Sequence, residues 1–226
     1  MDHFPSELTL YFPHPETADS NGLVAIGGDL SPQRLLLAYQ YGIFPWYNEG
    51  DPILWWSPDP RCILYPNELH VSGSMKKQIK KNLFHVTFDK AFRSVVLKCR
   101  TTERKGQYGT WITPMMVEAY CHLHEMGYAH SIEVWDQQVL AGGIYGISLG
   151  KIFFGESMFS LKSNASKFGL IFLARHLLNR NFVLIDCQQN TPHARSLGAT
   201  LIPRKKFLAH LRQNWAFRDS EGDWVI

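Results

Sequence analysis

An α+β layer fold is predicted for this chain, with a small N-terminal domain packed on a larger domain whose central sheet is largely antiparallel. Three observations predict it. Residues 129–135, 139–147 and 151–159 are extended in pattern and follow one another across the short turns Asp136-Gln137-Gln138 and Ser148-Leu149-Gly150, which suit antiparallel hairpins. A long amphipathic segment, 164–179, comes next with Leu170, Leu173, Ala174 and Leu177 on one face, and a further strand at 182–187 follows it. The first sixty residues have a different texture, rich in proline, glycine and aromatic rings, so the domains are placed at 1–61 and 62–226.

Taken in order, the N-terminal domain offers one credible helix. Ser31 suits its cap and Pro32 its first turn, and Gln33 to Tyr41 runs to a stop at Gly42. The rest of that domain reads as turns and short extended pieces. A strand at 61–65 opens the larger domain, Ser72 begins a lysine-bearing helix, and a strand at 84–88 precedes a helix from Asp89 to residue 99. Thr113-Pro114 opens another helix, which reaches Met126 and stops at Gly127. Beyond the three hairpin strands, the long helix and strand 182–187, a short helix near 192–197, a strand at 199–202 and a last helix from Pro203 complete the chain.

Composition sets wide bounds. Of the 226 residues 45% are hydrophobic and 19% charged, which describes an ordinary globular protein with an ample core. A net charge of +3 and a pI of about 8.6 permit an anionic partner without requiring one. Local clusters say more: Lys76, Lys77, Lys80 and Lys81 recur at helical spacing as one basic stripe, Arg100, Arg104 and Lys105 form a second cluster, and Arg204, Lys205 and Lys206 a third. A solvated face is the competing reading of each. Cys62, Cys99, Cys121 and Cys187 are scattered, and the first residues lack the basic and apolar regions of a secretory signal, so a cytoplasmic location is expected. No apolar run approaches the ~18 residues that span a bilayer, so no membrane partner is expected. No metal site is expected either, since His122 and His124, two apart on a helix, point in different directions.

Chemistry is suggested by acids in apolar strands. Phe182-Val183-Leu184-Ile185-Asp186-Cys187-Gln188 reads as a buried strand, where a carboxylate is costly unless it is paired or employed. Strand alternation puts Asp186 and Gln188 on one side, within reach of one substrate; a structural carboxylate satisfied by backbone N–H groups is the alternative. Ile152-Phe153-Phe154-Gly155-Glu156-Ser157-Met158-Phe159-Ser160 repeats the pattern with Glu156. Phe44, Trp46, Trp55, Trp56 and Trp111 lie in loop-like, proline-flanked contexts, and aromatic faces beside basic surface hold unstacked bases at roughly 1–3 kcal/mol each. For Trp55 and Trp56 core packing competes evenly with that reading.

These segments resemble one family. Gly22-Leu23-Val24-Ala25-Ile26-Gly27-Gly28-Asp29-Leu30, Gly42-Ile43-Phe44-Pro45-Trp46, Trp55-Trp56-Ser57-Pro58, Gly155-Glu156-Ser157-Met158-Phe159-Ser160, Asn164-Ala165-Ser166-Lys167, Leu184-Ile185-Asp186-Cys187-Gln188 and Ser196-Leu197-Gly198-Ala199 run in the order found in the leucyl/phenylalanyl-tRNA–protein transferases. The resemblance spans nearly the whole chain. It implies a catalytic domain of acetyltransferase-like (GNAT) fold. It also implies transfer of Leu or Phe, and less well Met, from aminoacyl-tRNA to a protein with N-terminal Lys or Arg, which marks that protein for N-end rule degradation. Ordinary acetyltransferases hold coenzyme A with a glycine-rich turn before the long helix; here that turn is Leu161-Lys162-Ser163-Asn164-Ala165-Ser166, without glycine. Ser163 or Asn164 there could cap the helix or meet an anion.

An aminoacyl ester is already activated, so no cofactor, ATP or metal is expected. The attacking α-amine, with a pKa of about 7.7–8.0, must lose a proton. Asp186 is the expected base with Gln188 positioning the amine, or else Asp186 only positions and the ribose hydroxyl carries the proton. Glu156 is expected to hold the acceptor's basic group. By match to the family's pocket, Ile144, Phe153, Gly155, Met158, Leu170, Leu173 and Ile185 should surround the donor side chain, with Phe44, Trp46 and Trp111 completing the substrate-binding set. Lys76, Lys77, Lys80, Lys81, Arg100, Arg104 and Lys105 are expected to bind the tRNA, and a monomer is expected.

Overall fold

The structure, a computed structural model, describes residues 10–102, 110–214 and 224. In the N-terminal part, β1 (Leu23–Ile26) leads to α1 (Pro32–Gln40), then β2 (Phe44–Pro45) and β3 (Leu54–Trp56), and the strands make an antiparallel sheet in the order β1-β3-β2. Pro32 presets the first turn of α1, and the Asp29 carboxylate accepts the Ser31 N–H at 2.8 Å. Gly42 ends the helical turn at φ +70°, and a Cβ there would lie 2.9 Å from the Phe207 ring, so both conformation and close packing demand glycine.

The remainder builds β4 (Arg61–Leu64), α2 (Gly73–Lys80), β5 (His85–Phe88), α3 (Phe92–Thr101), α4 (Pro114–Glu125), β6 (Ala129–Asp136), β7 (Val139–Leu149), β8 (Ile152–Ser160), α5 (Ala165–Asn179), β9 (Leu184–Gln188), α6 (Pro192–Ser196), β10 (Thr200–Ile202) and α7 (Arg204–Asn214). Seven strands form one sheet in the order β10-β4-β9-β8-β7-β6-β5. Every pairing in it is antiparallel except β8 with β9, which α5 joins by a crossover. This is the expected α+β architecture with a largely antiparallel central sheet, and the small N-terminal unit packs on it. One sheet face carries α5 and the Met75 side of α2; the other carries α3, α4 and the N-terminal unit in a continuous apolar core that includes Leu35, Trp55, Val95, Tyr120, Phe154 and Phe207.

Two element starts differ from the expectation by more than one residue. The helix expected from Asp89 begins at Phe92, because Asp89 sits at φ +56° and its carboxylate accepts the Ser131 N–H at 2.8 Å while meeting His130 Nδ1 at 2.7 Å. The strand expected from 182 begins at Leu184, since the Phe182 N–H closes the end of α5 onto Leu177 O. Trp224 packs on the α5 side, stacked on His130 with ring centroids 4.0 Å apart and 5.7 Å from Phe153. Among the described residues no helix is long and apolar enough to cross a membrane.

Candidate active site

β8 and β9 part company at the site. Their parallel ladder ends at Phe154↔Asp186, and Glu156 and Gln188 stand two residues further along on each strand. A cavity of about 870 Å³ opens there. Its polar end is formed by Glu156, Asp186 and Gln188. Ile144, Phe153, Met158, Leu170, Leu173 and Ile185 give it an apolar wall beside Gly155, and Phe44, Trp46 and Trp111 border it from the loop side. The cavity thus brings together all the residues expected to act on substrate.

Asp186 is not a lone carboxylate. It is fully buried and takes a bidentate pair from Arg61, Nε to Oδ1 at 2.8 Å and Nη2 to Oδ2 at 2.7 Å. Ile63 lies opposite Asp186 and Cys62 opposite Gln188, with a register shift between the two pairs, and Arg61, next along β4, reaches the Asp186 carboxylate. The Arg61 guanidinium lies between the Phe44 and Phe207 rings, 4.8 and 4.6 Å from their centroids, which replaces its lost hydration with π-faces. Oδ1 of Asp186 also accepts the Gln188 N–H at 2.9 Å, which holds Gln188 at φ +58° and ends strand alternation there.

That turn aims Gln188 at Glu156, with Nε2 donating to Oε1 at 2.8 Å. The hydroxyls of Tyr39 from α1 and Tyr120 from α4 also lie at hydrogen-bond distance from Glu156, at 2.8 and 2.7 Å. Burial pushes the Glu156 carboxyl up to about 7, against the lowering effect of the Tyr120 and Tyr39 hydrogen bonds. Burial, followed by the charge of Glu156, lifts both phenols well above their ordinary range. Sequence reasoning overlooked Arg61, Tyr39 and Tyr120.

The flanking aromatics divide. Trp55 is core, with Nε1 donating to Gly27 O, and Trp111 is nearly buried against the cavity. Trp46 is 38% exposed at the cavity rim, anchored by Trp56 Nε1 on its carbonyl oxygen at 2.7 Å and by an edge contact with the Trp56 ring. Lys76, Lys77, Lys80 and Lys81 are all exposed on or just beyond α2, whose opposite face buries Met75. Arg100 is half-buried near the end of α3, while Arg104 and Lys105 lie outside the described residues. At the start of α5, Asn164 adopts φ +68° without capping, and Ser160 Oγ instead accepts the Ser166 N–H at 3.2 Å. Among the described residues no three His, Cys, Asp or Glu side chains gather as a metal-ligand group.

Fold and site together define an α+β protein with an apolar, acid-ended cavity and no glycine in the turn that leads into α5. A family model for the leucyl/phenylalanyl-tRNA protein transferase matches residues 63–212, and one for its N-terminal domain matches 28–59. A leucyl/phenylalanyl-tRNA–protein transferase from Maridesulfovibrio salexigens is 52% identical over 224 residues, 95% of this chain and 93% of that one. One from Legionella pneumophila is 54% identical over 215 residues, covering 95% and 96%. Among solved structures, the L-PGS from Bacillus licheniformis shares 9% identity at a TM-score of 0.42, over 72% of this chain and 53% of that one. The chain belongs to the leucyl/phenylalanyl-tRNA–protein transferase family.

Proposed function

We propose that this chain transfers Leu or Phe, and less readily Met, from aminoacyl-tRNA to proteins beginning with Lys or Arg, marking them for N-end rule degradation. The observation that carries the reading is the cavity itself: an apolar wall of donor-sized side chains ends in Glu156, Gln188 and Asp186 at the opening between β8 and β9. Family membership supports the same chemistry.

The donor's hydrocarbon side chain occupies the wall of Ile144, Phe153, Met158, Leu170, Leu173 and Ile185, with Trp46 and Trp111 available for the terminal adenosine. The acceptor's basic side chain or ammonium docks at Glu156. Gln188 then presents Oε1, which has no partner among the described residues, to an N–H of the attacking amine. Of the two roles open to Asp186, its bidentate engagement by Arg61 favours the positioner: it fixes the turn at Gln188, and the amine proton passes to the ribose. The C–N bond forms as the ester C–O bond breaks, and the departing 3′ oxygen leaves with that proton. The ester supplies the driving force, so neither ATP nor metal takes part. The α2 lysines, with Arg100, Arg104 and Lys105, carry the tRNA; the four free cysteines suit the cytoplasm, and the chain acts as a monomer, organised as domains 1–61 and 62–226.

The test is transfer of labelled Phe from Phe-tRNA to peptides beginning with Lys, Arg or Ala, without ATP or metal. Transfer to the first two alone is expected. No transfer by a folded protein, or equal transfer to the Ala peptide, would refute the proposal; acetyl-CoA binding by calorimetry would then identify an ordinary acetyltransferase.

A further inference from the structure

Beside Gln188, three short oxygen–oxygen contacts close a triangle. Tyr39 Oη lies 2.7 Å from Tyr120 Oη and 2.8 Å from Glu156 Oε1, and Tyr120 Oη lies 2.7 Å from Glu156 Oε2. Each is a hydrogen-bond distance, and each requires one hydrogen. The two phenols own one apiece. An ionised Glu156 brings none, so one contact would set lone pair against lone pair in a buried site where nothing screens the repulsion.

We propose that Glu156 stands as a neutral carboxylic acid in the free protein, its own proton closing a one-directional hydrogen-bond ring with Tyr39 and Tyr120. Gln188 sets the direction. Its Nε2–H already donates to Oε1, which makes Oε1 the carbonyl-like acceptor and leaves the proton on Oε2. The ring runs from Oε2–H to Tyr120, from Tyr120 O–H to Tyr39, and from Tyr39 O–H back to Oε1, so every hydrogen has an acceptor. The burial that lifts this carboxyl to about 7 favours the same state. The groups facing it are Tyr39 on α1, Tyr120 on α4, Tyr145 on β7, which stands edge-on to Tyr120, and Asp186 on β9, whose charge is answered by Arg61 on β4. Glu133, the other buried glutamate among the described residues, forms a contrast: Thr87 and Ser131 hydroxyls and the Lys90 and Ala91 N–H groups each bring it their own hydrogen, and no ring is left short.

The consequence is a switchable charge. A cation arriving at Glu156 draws out the ring proton, so acceptor docking at neutral pH releases a proton to solvent. This consequence rests on the acceptor reading above; the resting protonation does not.

The experiment is pH-difference infrared spectroscopy of the free protein in the carbonyl region of undissociated carboxylic acids. A band that titrates with a midpoint near 7 is expected in the wild type and absent from Glu156→Gln, whose amide supplies an N–H and a C=O in the same places and keeps the ring closed. Burial also lifts the Glu133 carboxyl, so the variant comparison makes the assignment. Wild-type protein carrying 13C in its glutamate carboxyls shifts the band and separates it from aspartate bands, and the variant then assigns it to Glu156. A spectrum with no Glu156-dependent band below that midpoint overturns the proposal. If the band is present but a Lys-start peptide releases no proton on binding, the ring stands and the acceptor reading falls.

Discussion

Asp186 and Arg61 exclude water so completely that each is the other's only charge partner in the described structure. Removing one partner of such a pair strands the other, at roughly 3–5 kcal/mol. Arg61→Ala should therefore lower stability by that amount in urea titration. It should also reduce transfer as much as Asp186→Ala does, with the double variant scarcely worse than either single one, because both act through the same turn at Gln188. An additive double variant would separate the two residues. Glu156 gives a pH prediction of definite sign. Its folded pKa of about 7 lies above the unfolded value near 4.5, so the folded protein holds the proton more tightly. Stability from this group is full below about 4.5 and is lost as pH rises toward 7, a change on the order of 3 kcal/mol. Wild type minus Glu156→Gln, measured by urea unfolding across that window, should fall by that order; a flat difference would mean an unperturbed carboxyl.

At the scale of elements, α2 and the β7–β8 pair make separable contributions. The exposed lysines of α2 should set the salt dependence of tRNA binding, at about 0.7–0.9 log units per phosphate contact for each log unit of salt. Replacing Lys76, Lys77, Lys80 and Lys81 with Gln should flatten that slope and leave the thermal midpoint unchanged, as their side chains pack on nothing in the core. An unaltered slope would move the tRNA surface elsewhere. On β7, Gly146 sits where the register shifts against β8, and an added Cβ would collide with Phe154 O and lie 2.6 Å from the Phe153 ring. Gly146→Ala should cost roughly 1–3 kcal/mol and cut Phe transfer as well, because Phe153 walls the cavity. These elements also mark how far the sequence could be read. Helix starts at Ser72 and Thr113 and the stop at Gly127 were legible because capping chemistry is local. The start at Asp89 was not, since a carboxylate that looks like a cap is used across the sheet by His130 and Ser131. Arg61 carried the same signal as Asp186, a charge at the edge of an apolar run, yet its partner lies 125 residues away. Tyr39 and Tyr120 gave no signal at all: each looks like one more core ring on a helix, and only the fold reveals that their hydroxyls converge on Glu156.

For the molecule as a whole, the site belongs to neither part alone. Tyr39, Phe44 and Trp46 come from before residue 61, while Tyr120, Glu156, Asp186 and Gln188 come from after it. The apolar core runs without a break between the two, and Arg204 Nη1 donates to Ser57 O across the same junction at 2.6 Å. Unfolding should accordingly be a single transition, with calorimetric and van't Hoff enthalpies equal. Two resolved transitions would show that the N-terminal unit melts independently. The stacking of Trp224 on His130, with Phe153 against it, gives the molecule an intrinsic optical probe. Indole emission depends on what packs against the ring, so the light from Trp224 reports on its contacts with His130 and Phe153. Because Phe153 touches both that indole and the cavity, the same light should change when the cavity fills, which makes binding visible in unlabelled protein.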